Sequence, residues 1–154
     1  MSLKVCVAGA TGWAGSELSR GIAAADDLTL VAAVARRHAG QVLGEVLGEP
    51  RLAAPIFAGV DEALARPCDV LVEYTSAGSA KANVLAALKR GVHVVVGSSG
   101  LTDEDYAQID ALARERGRGV LACGNFALTA VLLIKFAEMA AKIIPQWEII
   151  DYAY

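Results

Sequence analysis

Apolar residues in this chain come in short blocks whose spacing alternates between that of strands and that of helices. Leu3 to Ala8 is a valine-rich run closed by glycine, as in a strand covered on both faces of a parallel sheet. A glycine-rich turn ends at Gly15, and Ser16 to Ala25 then puts Leu18 and Ile22 on one side at helical spacing. Leu28 to Ala35 returns as a second strand, which completes a βαβ unit. Arg36 to Pro55, with Gly40, Gly44, Gly48 and Pro50, reads as a long, mobile, irregular excursion. Ile56 to Gly59 is a weak strand, and Asp61 is placed to cap a short helix over Glu62 to Arg66.

The alternation continues with a strand over Val70 to Tyr74 and a helix from about Gly78 to Arg90, with Val84, Leu85 and Leu88 inward and Gly91 at its end. A strand follows at His93 to Val96. Thr102 and the acids after it open a helix that Gly117 closes, and Val120 to Ala122 is another strand. Phe126 to Ile144 is a very apolar helix stopped by Pro145, and Trp147 to Tyr152 begins one more strand. Such a βαβ series predicts an α/β fold with a doubly wound, mostly parallel sheet and a ligand crevice at the carboxyl ends of its strands.

At 154 residues the chain has the size of one ordinary domain, with a core large enough to need no staples. Hydrophobic residues are 55% of it, yet no apolar run reaches the ~18 residues of a membrane span, so the excess belongs in the core. Met1-Ser2-Leu3-Lys4 leads directly into the first strand without the pattern of a secretory signal, so a cytoplasmic location is expected. The net charge of −3, with no basic run beyond Arg36-Arg37, argues against nucleic acid or a membrane surface as partner. Cys6, Cys68 and Cys123 are scattered and form no metal-binding pair, which predicts reduced structural thiols and no metal site.

Candidate chemistry gathers where strands turn into helices. Gly9, Gly12 and Gly15, within Gly9-Ala10-Thr11-Gly12-Trp13-Ala14-Gly15, follow a strand and open a helix. Missing side chains there allow a tight turn, close approach of a pyrophosphate and packing of helix on sheet, while the exposed amides at the helix start favour an anion. This is the setting of a Rossmann-type NAD(P) site. Ala35, Arg36 and Arg37 stand where an NAD-specific domain carries an acid for the ribose 2′-hydroxyl. A guanidinium there pairs with a 2′-phosphate, so NADPH is expected to be preferred over NADH; two solvated arginines are the plain alternative.

Further along the same edge, Tyr74 is placed either to line the cofactor or to pack in the core, and Thr75 to hydrogen-bond a ribose. Gly97-Ser98-Ser99-Gly100 forms a second loop able to approach a flat ring. Asn125, before Phe126, is suited to a carboxamide or to capping a helix. Cys123 has no assignable base beside it and reads as a buried structural thiol rather than a nucleophile. His38 and His93 read as surface or structural residues.

Taken in order, Gly9-Ala10-Thr11-Gly12, Glu73-Tyr74-Thr75, Val95-Val96-Gly97-Ser98-Ser99-Gly100-Leu101-Thr102 and Gly124-Asn125-Phe126-Ala127 resemble the 4-hydroxy-tetrahydrodipicolinate (dihydrodipicolinate) reductase family of lysine and diaminopimelate synthesis. The likeness runs over essentially the whole chain. It implies an NAD(P)H-binding domain followed by a tetramer-forming domain that holds a small cyclic dicarboxylate, and thus a homo-oligomer at full length. Position by position it implies that the Gly12 turn cradles pyrophosphate, that Arg36 meets the adenosine ribose or its phosphate, and that Thr75, Gly97, Ser99, Asn125 and Phe126 flank the nicotinamide.

The likeness also has a limit. Glu148-Ile149-Ile150-Asp151 resembles the segment that leads, in the family, into a His-His pair and then a lysine and a P-S-G-T loop for substrate; Ala153 and Tyr154 stand at the His-His positions here. A cofactor domain over 1–147 and the start of a substrate domain over 148–154 are therefore expected, with little turnover from this chain alone. Two other readings stay open. Gly9 to Leu18 also looks like N-acetyl-glutamyl-phosphate reductase and aspartate-semialdehyde dehydrogenase, although Cys123 lacks their Pro-Gly-Cys setting; a non-catalytic NAD(P)-binding module is the other.

Overall fold

A computed structural model of the protein describes residues 2–124 and 126–150. The chain divides into two compact units, Met1–Ala122 and Cys123–Tyr154. In the first, strands β1 (Leu3–Ala8), β2 (Leu28–Val34), β3 (Ile56–Phe57), β4 (Val70–Glu73), β5 (His93–Val96) and β6 (Val120–Ala122) form one sheet in the order β3-β2-β1-β4-β5-β6. All neighbouring strands in it are parallel. Helices α1 (Trp13–Ala24), α2 (Leu43–Leu47), α3 (Val60–Ala63), α4 (Ala77–Lys89) and α5 (Asp103–Arg116) complete the unit.

Because successive strand residues face opposite ways, the sheet supplies two cores. Cys6, Ala8 and Leu71 pack with Val60 of α3, Val84 and Leu88 of α4 and Ile109 of α5. Val5, Val7 and Ala33 pack with Ile22 of α1 and Leu43 of α2. Helices therefore cover both faces, which is the doubly wound arrangement expected from the alternation. Strand order reverses direction at β1, the first strand, so a crevice opens between the carboxyl ends of β1 and β4.

Four expectations are corrected in this unit. Helix α1 begins at Trp13, not Ser16, with Gly12 as its N-cap, so three residues assigned to the turn are helical. The short helix is capped by Gly59 and starts at Val60, which is buried, ahead of the predicted Asp61 cap. The 36–55 excursion is anchored rather than loose. A 3-10 turn at Arg36–His38 and helix α2 lie in it, Leu43 and Leu52 are fully buried, and the Gly44 amide donates to the Leu52 carbonyl at 2.8 Å. Finally, β2 and β4 end one residue earlier than expected, at Val34 and Glu73.

The second unit contains helix α6 (Leu128–Ala141), shorter at both ends than the 126–144 span read from its hydropathy, and none of its residues is buried. Residues 147–150 carry no strand, contrary to expectation; 151 and 152 lie outside the described residues. Among the described residues no helix is long and apolar enough to cross a membrane.

Candidate functional site

The turn from β1 into α1 shows what each glycine does. Gly9 has a φ of +85°, and a Cβ there would collide with the carbonyl of Tyr74, so this glycine brings the β1 and β4 turns into backbone contact. A Cβ on Gly15 would collide with the Gly9 carbonyl, so it seats α1 on the turn. Gly12, exposed, donates its amide to the Gly9 carbonyl at 2.9 Å and faces open space apart from that carbonyl. No side chain caps α1 and no acid lies in its first turn, so its amides and partial positive charge remain available to an anion.

Gly9, Gly12 and Tyr74 line a cleft of about 510 Å³. Along the sheet's carboxyl edge it runs from Ala35, Arg36 and Arg37 after β2, past Gly9, Thr11 and Gly12 after β1, to Tyr74 and Thr75 after β4. Arg36 and Arg37 are exposed, and neither has an ion-pair partner among the described residues. No acid lines the cleft. One end is therefore electropositive, and its centre has a glycine cradle that a side chain would fill, which fits an elongated phosphorylated ligand such as a dinucleotide.

Other predicted positions sit differently. Trp13 is 92% exposed at the start of α1, and neither it nor Ala14 or Gly15 lines the cleft. Tyr74 is half-buried, with its ring lying where a Cβ on Gly97 would be. Gly97 in turn donates its amide to the Glu73 carbonyl at 2.9 Å, so the β5 loop is tied to the β4 turn. The hydroxyl of Ser98 is buried there without a hydrogen-bond partner among the described residues, while Ser99 is exposed. Asn125, Ala153 and Tyr154 lie outside the described residues, and Phe126, in the second unit, is exposed.

Three residues of α4 and its approach were missed by sequence reading: Ser76, Ser79 and Asn83 line the cleft beside Thr75. Their spacing, three and then four residues, is a polar stripe on one helix face and was the available signal. Ala58 and Gly59 close the arginine end, a placement that depends on β3 pairing with β2 and could not be read locally. A second concavity of about 400 Å³ lies between α5 and β6, but it gathers none of the glycine turns.

The cysteines do no visible chemistry. Burial pushes the Cys6 thiol far up, with Cys68 nearby adding to it, and burial raises Cys68 as well. Cys123 is exposed, which corrects its reading as a buried thiol. The His93 ring accepts the Gly119 amide at Nδ1 at 2.9 Å and so serves the β5–β6 junction. Among the described residues no cluster of acids, histidines and cysteines forms a metal site.

Comparison with known proteins places this geometry. Residues 3–126 match the family described as dihydrodipicolinate reductase, N-terminus. The chain belongs to the dihydrodipicolinate reductase family. It is 40% identical over 150 residues to a 4-hydroxy-tetrahydrodipicolinate reductase of Halalkalibacterium halodurans, covering 97% of this chain and 57% of that relative. It thus spans little more than half the length of the curated family members it matches. Among solved structures it is similar to a dipicolinate-bound dihydrodipicolinate reductase from Paenisporosarcina sp. TG-14, with a TM-score of 0.76 and 27% identity over 94% of this chain and 56% of the other. It is also similar to GenD2 from gentamicin A biosynthesis, solved in complex with NAD, with a TM-score of 0.71 and 27% identity over 88% of this chain and 39% of that one. A relative in Bacillus cereus carries the same name, 4-hydroxy-tetrahydrodipicolinate reductase, at 36% identity over 97% of this chain and 56% of its own length.

Proposed function

We propose that this chain is the NADPH-binding part of a reductase that converts 4-hydroxy-tetrahydrodipicolinate to tetrahydrodipicolinate. Family membership supports the reaction, and the dipicolinate in the Paenisporosarcina relative supports a cyclic dicarboxylate as substrate class. The observation that carries the cofactor assignment is the single cleft that joins the Gly9–Gly12 turn, the arginine pair and Thr75 along the carboxyl edge. Gly9, Thr11, Gly12 and the α1 amides would hold the pyrophosphate, with Trp13, Ala14 and Gly15 forming the helix start behind them. Arg36 and Arg37 would hold the 2′-phosphate. Tyr74, Thr75, Gly97, Ser98 and Ser99 would flank the nicotinamide.

When bound, the reduced dinucleotide supplies the hydride. This chain's own residues bind it, orient it and fix its register, while substrate recognition belongs to the further length that the relatives possess. The preference for NADPH rests on the charge at the β2 end: two guanidiniums without an ion-pair partner among the described residues attract a 2′-phosphate, and no acid lining the cleft repels it. Calorimetric titration should show tighter binding of NADPH than of NADH, and Arg36→Ala should weaken NADPH roughly tenfold, the worth of one charge-assisted hydrogen bond, while leaving NADH unchanged. Equal affinities for the two cofactors in the unaltered protein would overturn the preference.

A further inference from the structure

Among the described residues, Ser19 and Glu73 are the polar residues with no solvent exposure. Ser19 is accounted for, since its hydroxyl donates to the Gly15 carbonyl at 2.7 Å inside α1. Glu73 ends β4, bonded to the cleft-lining Thr75 and Asn83 but not itself lining the cleft, and a buried carboxyl group there is costly unless hydrogen-bonded. Its Oε1 accepts from the Thr75 amide at 3.1 Å, from Asn83 Nδ2 at 3.2 Å and from the Thr75 hydroxyl, while Oε2 is buried without a hydrogen-bond partner among the described residues. Asn83 Nδ2 also lies 3.3 Å from Thr75 Oγ1.

The protons in this triad can be assigned. Oε1 already accepts the Thr75 amide and the Asn83 amide, as a carboxyl oxygen without a proton does, so the hydrogen between it and Thr75 Oγ1 is the threonine's single hydroxyl proton. Asn83 must turn its amide nitrogen toward the carboxylate, because its oxygen there would set acceptor against acceptor. That nitrogen uses one of the two lone pairs on Thr75 Oγ1. One acceptor position is left on Thr75, which is exposed to the cleft, and no donor.

The strand order says which ligand group meets it. The carboxyl ends run β2, β1, β4, so a dinucleotide with its adenosine end at Arg36–Arg37 and its pyrophosphate at Gly12 brings its second ribose to β4, about 4.8 Å further along. Ribose hydroxyls donate; pyrophosphate oxygens only accept. We propose that Glu73 is a positioning residue that, with Asn83, fixes Thr75 as an acceptor, and that Thr75 thereby takes a hydroxyl of the nicotinamide ribose and refuses phosphate, setting the register of the dinucleotide in the cleft.

This inference rests on the cofactor reading above, and its test separates the two. The affinity of NADPH is compared with that of analogues lacking the 2′- or the 3′-hydroxyl of the nicotinamide ribose. One analogue should bind the unaltered protein roughly tenfold more weakly. Thr75→Val should erase that gap and Thr75→Ser should keep it. Glu73→Leu should shrink the gap, whereas Glu73→Gln, which retains an acceptor for the threonine proton, should preserve most of it. Both analogues binding as tightly as NADPH, or an undiminished gap in Thr75→Val, overturns the proposal, and the Thr75 pair decides if Glu73→Leu does not fold. Absence of NADPH binding in the unaltered protein would refute the cofactor reading itself, and this inference with it.

Discussion

Gly9, Gly12 and Gly15 look interchangeable in the sequence, and the backbone around them separates their work. At Gly9 and Gly15 an added Cβ meets main-chain atoms, which cannot move aside without opening the junction of β1, α1 and β4. Gly12 has an ordinary φ of −76° and meets only the Gly9 carbonyl, at 3.2 Å. Gly12→Val should therefore leave the fold intact by circular dichroism while filling the phosphate cradle, with NADPH affinity down at least a hundredfold in calorimetry. Retained affinity would refute the cradle. The spacing of glycines was legible in the sequence because strand, turn and helix are local; their separate work was not, because the Gly9 collision is with Tyr74, which follows β4, and the Gly15 collision depends on how the turn seats α1 against Gly9. Arg36 and Thr75 were legible for the same local reason, each standing just after a strand. Glu73 was visible as a residue but not as a role, since its partner Asn83 comes from the next helix.

At the scale of elements, legibility followed capping chemistry. Thr102 and Asp105 form a reciprocal capping box, with Asp105 N at 3.2 Å from the threonine hydroxyl and Thr102 N at 3.0 Å from the aspartate. That side-chain signal placed α5 correctly, as Gly117 did at its other end, where φ is +60°. Where glycine caps a helix without a side-chain bond, as at Gly12 and Gly59, the starts were misplaced. The Asp105 carboxyl is held down at about 2, first by its hydrogen bond to Lys81 at 2.7 Å and then by Thr102. A carboxyl whose folded value is depressed stabilises the fold above its unfolded value and loses that contribution as pH falls. The stability advantage of the unaltered protein over Asp105→Asn should thus be full above roughly pH 4, the ordinary aspartate value, and fade toward pH 2. Urea denaturation across that range checks it, and an advantage that does not change with pH would contradict the assignment.

For the whole first unit, the cleft is assembled from turns that are far apart in sequence and adjacent only because β2, β1 and β4 are neighbours. A ligand that spans it should protect all three together. In hydrogen exchange, NADPH is expected to slow peptides covering 9–15, 35–37 and 74–79, and to leave the α5 segment 109–117 unchanged. Protection confined to the glycine turn would mean that the arginine and threonine ends do not bind. By itself the sequence determined the alternation of strands and helices, the doubly wound class, the glycine turn and the family, because periodicity, glycine spacing and motif order are properties of neighbouring residues. Tertiary structure alone decided that the 36–55 segment is pinned by buried Leu43 and Leu52, that Ser79 and Asn83 join the cleft, and that buried Glu73 is hydrogen-bonded to Thr75 and Asn83. These depend on pairing and packing between segments tens of residues apart, where burial and hydrogen bonding across the sheet override what each segment shows on its own.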